Sequence, residues 1–381
     1  MTRIPSRWKL TILLVIVGGL LFDRPDAGIN AEELVARGTI LAARNTDSQR
    51  LPALKRRRHR RWSFQETTTA SKAAVRKGNK FLLTAKNRDG GYGNDIGQPS
   101  DVGISSFVGL AFMAQGNTLT EGPRNRELRQ IVTYVVKHVR KMSRGADVSG
   151  KTRTQLQSEF GYYAPSFFAA LFLSQVVGET ANDHEARRSL VKLIDTISRA
   201  QQSDGSWGQD SYVPTLGTVM GWVCLRGSYS AGFEVQGSAN KTAEHLMNQM
   251  DGARDSRNWM QMLYRDAAGI RVLYAMGKKY EPVTRKAVEN ALNLIKHDNR
   301  AFAQAGGEDY LAHFLITDTM LQSGGEDWKR WYPLVRDRTV GVQNSDGSWT
   351  GHHCMTSRVF CTAAAVLILS APNRMLPISQ E

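Results

Sequence analysis

Hydrophobic positions along the chain fall into two alternating kinds of run. One kind is amphipathic: between Arg187 and Arg199, Leu190, Leu193, Ile194 and Ile197 recur at the spacing of a single helical face. Such a run predicts a helix with a polar outer side. The other kind is apolar around most of its circumference and rich in small residues. Six such runs are ISSFVGLAFMAQG from Ile104, APSFFAALFLSQVVG from Ala164, TVMGWVCLRG from Thr218, AAGIRVLYAMG from Ala267, YLAHFLITDTMLQSGG from Tyr310 and VFCTAAAVLILSAP from Val359. Most stop at glycine, the residue favoured just past a helix end. Apolar character all round predicts helices buried on both sides. No strand-rich alternating segment interrupts the series, so the chain is expected to be all-α.

The alternation has a period. KGNKFLLTAKNRDGGYG (Lys77 to Gly93) recurs in outline as SRAQQSDGSWG (Ser198 to Gly208) and as VGVQNSDGSW (Val340 to Trp349). Asp89, Asp204 and Asp346 stand 115 and 142 residues apart, close to two and three units of about 50. Residues 72 to 371 then hold six helix pairs, which predicts a six-repeat α/α toroid of two concentric layers. An open solenoid of tetratricopeptide type has a shorter period, about 34. In each motif the aspartate turns the chain on its own backbone and the glycine admits a positive φ. The glutamine amide is expected to satisfy carbonyls at the outer helix's end, and the tryptophan to cover apolar surface between repeats.

Gln201, Gly205 and Trp207, and again Gln343, Gly347 and Trp349, spell Gln-x3-Gly-x-Trp. On these residues the chain resembles the prenyltransferase and squalene-oxidase repeat family, most closely its bacterial members related to the C-terminal domain of squalene cyclases, over residues 72 to 377. The first unit is a degenerate copy: Lys77, Gly78, Phe81, Leu82 and Leu83 fit the preceding helix and Gly90 is kept, but Lys86 replaces the glutamine and Tyr92 the tryptophan. The resemblance implies a central cavity for an apolar, isoprenoid-type ligand. It does not carry over catalysis. The D-x-D-D acid of squalene cyclases is absent, and the nearest acidic pairs, Glu308-Asp309 and Glu326-Asp327, adjoin Gly-Gly and are expected on loops. The Asp-x-Cys of zinc-binding prenyltransferases is also absent. His352-His353-Cys354 is the one dense group of zinc-type donors, with His313 the only further donor on an inner helix. The segment is read as a polar loop at the rim, with no metal and no cofactor.

Asp318 is the candidate catalytic residue. It lies among apolar neighbours, with Tyr310, Phe314 and Asp318 on one helical face and Tyr310, Phe314 and His313 as candidate cavity-lining side chains. On a luminal face, desolvation would raise its carboxyl pKa and suit it to donate a proton. The competing reading is a buried acid paired with an arginine. No HExxH, GxSxG, GxGxxG or phosphate-loop motif supplies another chemistry.

Charge and cysteine content change the picture at the N-terminus. The chain has 381 residues and a net charge of +15, of which residues 28 to 70 carry +5. Arg3, Arg7 and Lys9 precede an uncharged run from Leu10 to Phe22, the layout of an export signal in residues 1–27, with an uncleaved anchor as the alternative. Residues 28–70 read as a basic tether in which Lys55 to Arg61 rest on an anionic membrane surface, nucleic acid being the weaker partner. The toroid takes residues 71–381, in the periplasm or cell envelope. Cys224, Cys354 and Cys361 are too few for a disulfide framework and are expected to be buried free thiols. Two functions follow: a terpenoid-cyclase-like or prenyltransferase-like protein holding an isoprenoid, or a non-catalytic envelope scaffold binding a protein or lipid partner.

Overall fold

Thr68 and Ser71 exchange side-chain-to-backbone hydrogen bonds, each 3.0 Å, and so fix the start of the first described helix. The structure, a computed structural model, describes residues 66–150, 153–180, 183–207, 210–252, 259–297 and 300–380. These belong to one unit, Trp62–Glu381. The expected export segment and the Lys55 to Arg61 run lie outside the described residues. Helix α1 (Thr69–Ala85) is followed by α2 (Val102–Met113), α3 (Asn125–Lys141), a short α4 (Gln155–Phe160), α5 (Ala164–Val176), α6 (His184–Ala200) and α7 (Pro214–Ser230). Then come α8 (Gln236–Gly252), α9 (Trp259–Ala275), α10 (Pro282–His297), a short α11 (Arg300–Ala303), α12 (Gly307–Ser323), α13 (Gly325–Gly341) and α14 (Arg358–Ser370). Two 3₁₀ turns, Ala371–Asn373 and Pro377–Gln380, end the described chain. Among the described residues there is no strand, only isolated bridge pairings at Tyr92, and no helix long and apolar enough to cross a membrane. The all-α expectation holds.

The two kinds of run become two kinds of helix. Every residue of α2 and α5 is buried, whereas α6 buries one stripe that includes Leu190, Leu193 and Ile197. The apolar helices pack in a series, α2 on α5, α5 on α7, α7 on α9, α9 on α12, α12 on α14, and α14 back on α2. Each amphipathic helix leans on the apolar helix before it, α3 on α2 and α6 on α5, and α1 leans on α14. The first helix is thereby held by the last.

The three Asp-Gly turns are built alike. Asp89, Asp204 and Asp346 each accept, through Oδ1, the backbone N–H two residues on, at 3.0, 2.9 and 3.0 Å. Gly90, Gly205 and Gly347 have φ of 87°, 89° and 92°, a region open mainly to glycine. A Cβ on Gly347 would lie 2.5 Å from the Lys77 carbonyl oxygen of α1, and one on Gly205 would strike the Lys241 carbonyl of α8. Trp207 and Trp349 are fully buried, their Nε1–H groups donating to the Ile197 and Thr339 carbonyls at 2.9 and 2.7 Å. Burying side chains of this size contributes about 2 kcal/mol each. The glutamines differ from expectation: Gln343 donates to the Gly347 carbonyl and to Ala74 of α1, both at 2.9 Å, and Gln201 to Ser238 of α8 at 2.8 Å. They join a turn to the next amphipathic helix instead of finishing their own.

Aromatic rings occupy the place where the apolar helices converge. Phe360 of α14 lies 4.6 Å from Phe107 of α2 and 5.7 Å from Phe168 of α5. Phe160 and Phe314 join them, at 6.1 Å from Phe360 and 5.9 Å from Phe107. α5 and α14 are not neighbours in the packing series, nor are α2 and α12. Their rings meet only by reaching across its middle.

Candidate functional site

Helix α12 starts at Gly306-Gly307, and its first turn carries Glu308 and Asp309, where the helix dipole favours acids. Both acidic pairs expected on loops instead open helices. Asp327, in the first turn of α13, is held by Arg285 at 2.9 Å and Tyr274 at 2.9 Å. Two backbone bonds dock the loop before α14 onto the start of α12, Gly307 N–H to Met355 O at 2.8 Å and His352 N–H to Ala305 O at 3.0 Å. A Cβ on Gly307 would meet Met355 Cγ at 2.5 Å, so the close approach requires glycine there.

This docking brings the two sequence features together. His353 Nδ1 lies 2.8 Å from Glu308 Oε1, and its Nε2 lies 2.9 Å from Asp309 Oδ2. Asp309 is fixed in turn by the Tyr264 hydroxyl at 2.9 Å and the Gly306 N–H at 2.8 Å. Met355 N–H donates to Glu308 Oε2 at 3.2 Å. The hydrogen bond to Asp309 and the charges of both carboxylates raise the imidazole to about 9, so it is a cation at neutral pH. Burial raises Glu308.

Cys354 adds a thiol. It is exposed, correcting the expectation that all three cysteines are buried, and its φ is 37°, a left-handed conformation strained for a residue with a side chain. Gln155 of α4 holds its carbonyl at 3.0 Å. Burial and the charges of Glu308 and Glu159 push the thiol up to about 11. One donor atom each of Glu308, His353 and Cys354 lies within 4.8 Å of the others. Glu159, on α4, is 4% exposed, and its Oε2 has no hydrogen-bond partner among the described residues. Burial and the Glu308 charge raise its carboxyl to about 7, with His353 opposing.

The expected catalytic residue has another setting. Asp318 is 5% exposed, with Oδ2 3.2 Å from Arg271 Nη1 and 3.0 Å from Gln322 Nε2, while Oδ1 accepts the Ser379 hydroxyl. The final 3₁₀ turn is pinned beside it, Ile378 N–H donating to Gln175 Oε1 and Gln322 Nε2 to Ile378 O, both at 2.9 Å. This is the paired, structural arrangement, so the proton-donor role is not carried further. Tyr310 and Phe314 are buried and pack against other rings, Tyr310 against Phe302 and Phe314 against Phe107. His313 does not join His353: its Nδ1 lies 2.6 Å from the Asp309 carbonyl, its ring sits between Phe302 and Trp331, and burial lowers it to about 4.

Sequence reasoning missed Glu159, Tyr264 and the convergence of Glu308-Asp309 with His353-Cys354. Gly-Gly-Glu-Asp directly before an apolar run is a helix-start signal and could have placed the pair correctly. Searches of family models and of curated proteins find no match to this chain.

Proposed function

We propose that the chain is a six-repeat α/α toroid, of the kind its Gln-x3-Gly-x-Trp motifs resemble, and that it serves as a non-catalytic envelope scaffold for a protein or lipid partner. The closed packing series of α2, α5, α7, α9, α12 and α14, with α1 leaning on α14, supports the toroid. The observation that carries the scaffold reading is the filled middle. Phe107, Phe160, Phe168 and Phe360 are wholly inaccessible and touch across the series, which leaves a luminal isoprenoid without its seat. Room lies instead on the amphipathic layer. A groove of about 700 Å³ between α3 and α6 is lined by apolar Leu119, Val132 and Val136 together with Arg140, Asp183 and Glu185. The export segment and basic tether, kept as expectations, would hold such a ring at an envelope surface.

The reading is tested by incubating the full chain with farnesyl diphosphate, geranylgeranyl diphosphate or squalene and assaying both products and bound lipid. Neither turnover nor stoichiometric retention is expected. Retention of one isoprenoid per chain by the wild-type protein would overturn the scaffold reading and restore the luminal one.

A further inference from the structure

The rim cluster carries an inference independent of the scaffold reading. Glu159, Glu308 and Asp309 are each nearly or fully buried, at 4%, 1% and 0% exposure, and among the described residues the ion pairs made with them come from His353 alone. Buried carboxylates in excess over cations are costly unless they take up a proton or a further cation. The neighbouring donors are of mixed chemistry: a carboxylate oxygen, an imidazole nitrogen and a thiol sulfur within 4.8 Å of one another. Asp309 anchors His353 Nε2 and is itself anchored by Tyr264 and Gly306, which leaves Nδ1 presented to Glu308. A carboxylate behind a histidine, fixing ring orientation and tautomer, is the usual outer support of a metal-ligating imidazole.

We infer that Glu308, His353 Nδ1 and Cys354 form a binding site for a zinc-type divalent ion, the imidazolium and the thiol each releasing a proton to solvent as the ion enters. An imidazole and a thiolate select borderline-soft transition ions over magnesium or calcium. Three protein donors leave a fourth position for water, as in open zinc sites. The ligands come from α12 and the loop before α14, so the ion would staple two distant parts of the chain. Asp309 acts as a positioning residue.

The test uses the full chain stripped with a chelator, then titrated with zinc(II) or cobalt(II). One ion per chain is expected, with a higher melting temperature. Cobalt(II) should show a near-ultraviolet thiolate-to-metal band and the visible bands of a tetrahedral ion. Cys354→Ser, at an exposed position, should fold normally and lose the thiolate band. Glu308→Gln should weaken binding at least about tenfold, and Asp309→Asn about 10- to 100-fold while keeping the thiolate band. Absence of stoichiometric binding in the wild-type chain would overturn the site, as would unchanged affinity and spectrum in both Cys354→Ser and Glu308→Gln.

Discussion

The two ends of α12 hold buried carboxylates in opposite electrostatic settings. Towards the C-terminal end, Asp318 faces one arginine, and both of its oxygens have partners. Ten residues earlier in the chain, a distance of about 15 Å along a helix, Glu308 and Asp309 share one imidazole among the described residues, and Glu159 has an oxygen with no partner among them. The helix is common to both, so its neighbours make the difference. Where anion and cation are matched, the chain has used a buried acid to pin its C-terminal turn. Where carboxylates are in surplus, it has left a place for a further cation.

The largest effect is expected at the matched end. Asp318→Asn leaves Arg271 buried without its counterion and should cost about 3 to 5 kcal/mol in urea unfolding. Glu308→Gln in the metal-free chain removes surplus negative charge and should change stability by no more than about 1 kcal/mol. If the two variants exchange places, the contrast fails.

His313, one helical turn from Asp309, sharpens the contrast through pH. Its folded value, lowered to about 4 from 6.5 by burial, means the folded protein binds fewer protons than the unfolded one between those values. Stability therefore rises with pH across that window and falls on acidification, by about 3 kcal/mol in all from this group. His313→Phe should flatten the stability profile between pH 6.5 and 4, measured by melts at stepped pH. An unaltered slope would show that the ring is not held neutral by burial.

Smaller effects separate the complete motifs from the degenerate one. Gln343→Ala removes the bonds that join the last turn to α1 and should cost about 1 to 2 kcal/mol. Lys86→Ala, which loses one bond to Gln130 at 2.6 Å from a partly exposed position, should cost under about 1 kcal/mol. Equal losses would mean that Gln343 contributes nothing special to closing the first helix against the last.

Features within one run or one turn could be read from the chain. The mostly apolar run from Ala164 and the striped run from Arg187 announced their burial, because helical period and composition decide which faces leave water. The three Asp-Gly turns were readable because aspartate and glycine act on their own backbone. Asp318 was narrowed to two outcomes but not decided, since Arg271 approaches it from α9. The cluster of Glu308, Asp309, His353 and Cys354 was hidden for the same reason. His353 meets Glu308 across 45 residues of sequence, and only the docking of one loop on a Gly-Gly helix start sets that distance. Whether phenylalanines fill or merely line the space between the apolar helices depends on packing between distant helices, which no local pattern reports.

The surplus-charge account is tested most directly by anomalous diffraction at the zinc edge from crystals of the full chain grown with stoichiometric zinc. One peak is predicted, about 2.0 to 2.3 Å from donor atoms of Glu308, His353 and Cys354, with none at Asp318. A zinc-replete crystal with no peak at the rim, and His353 still bridging Glu308 and Asp309, would contradict it.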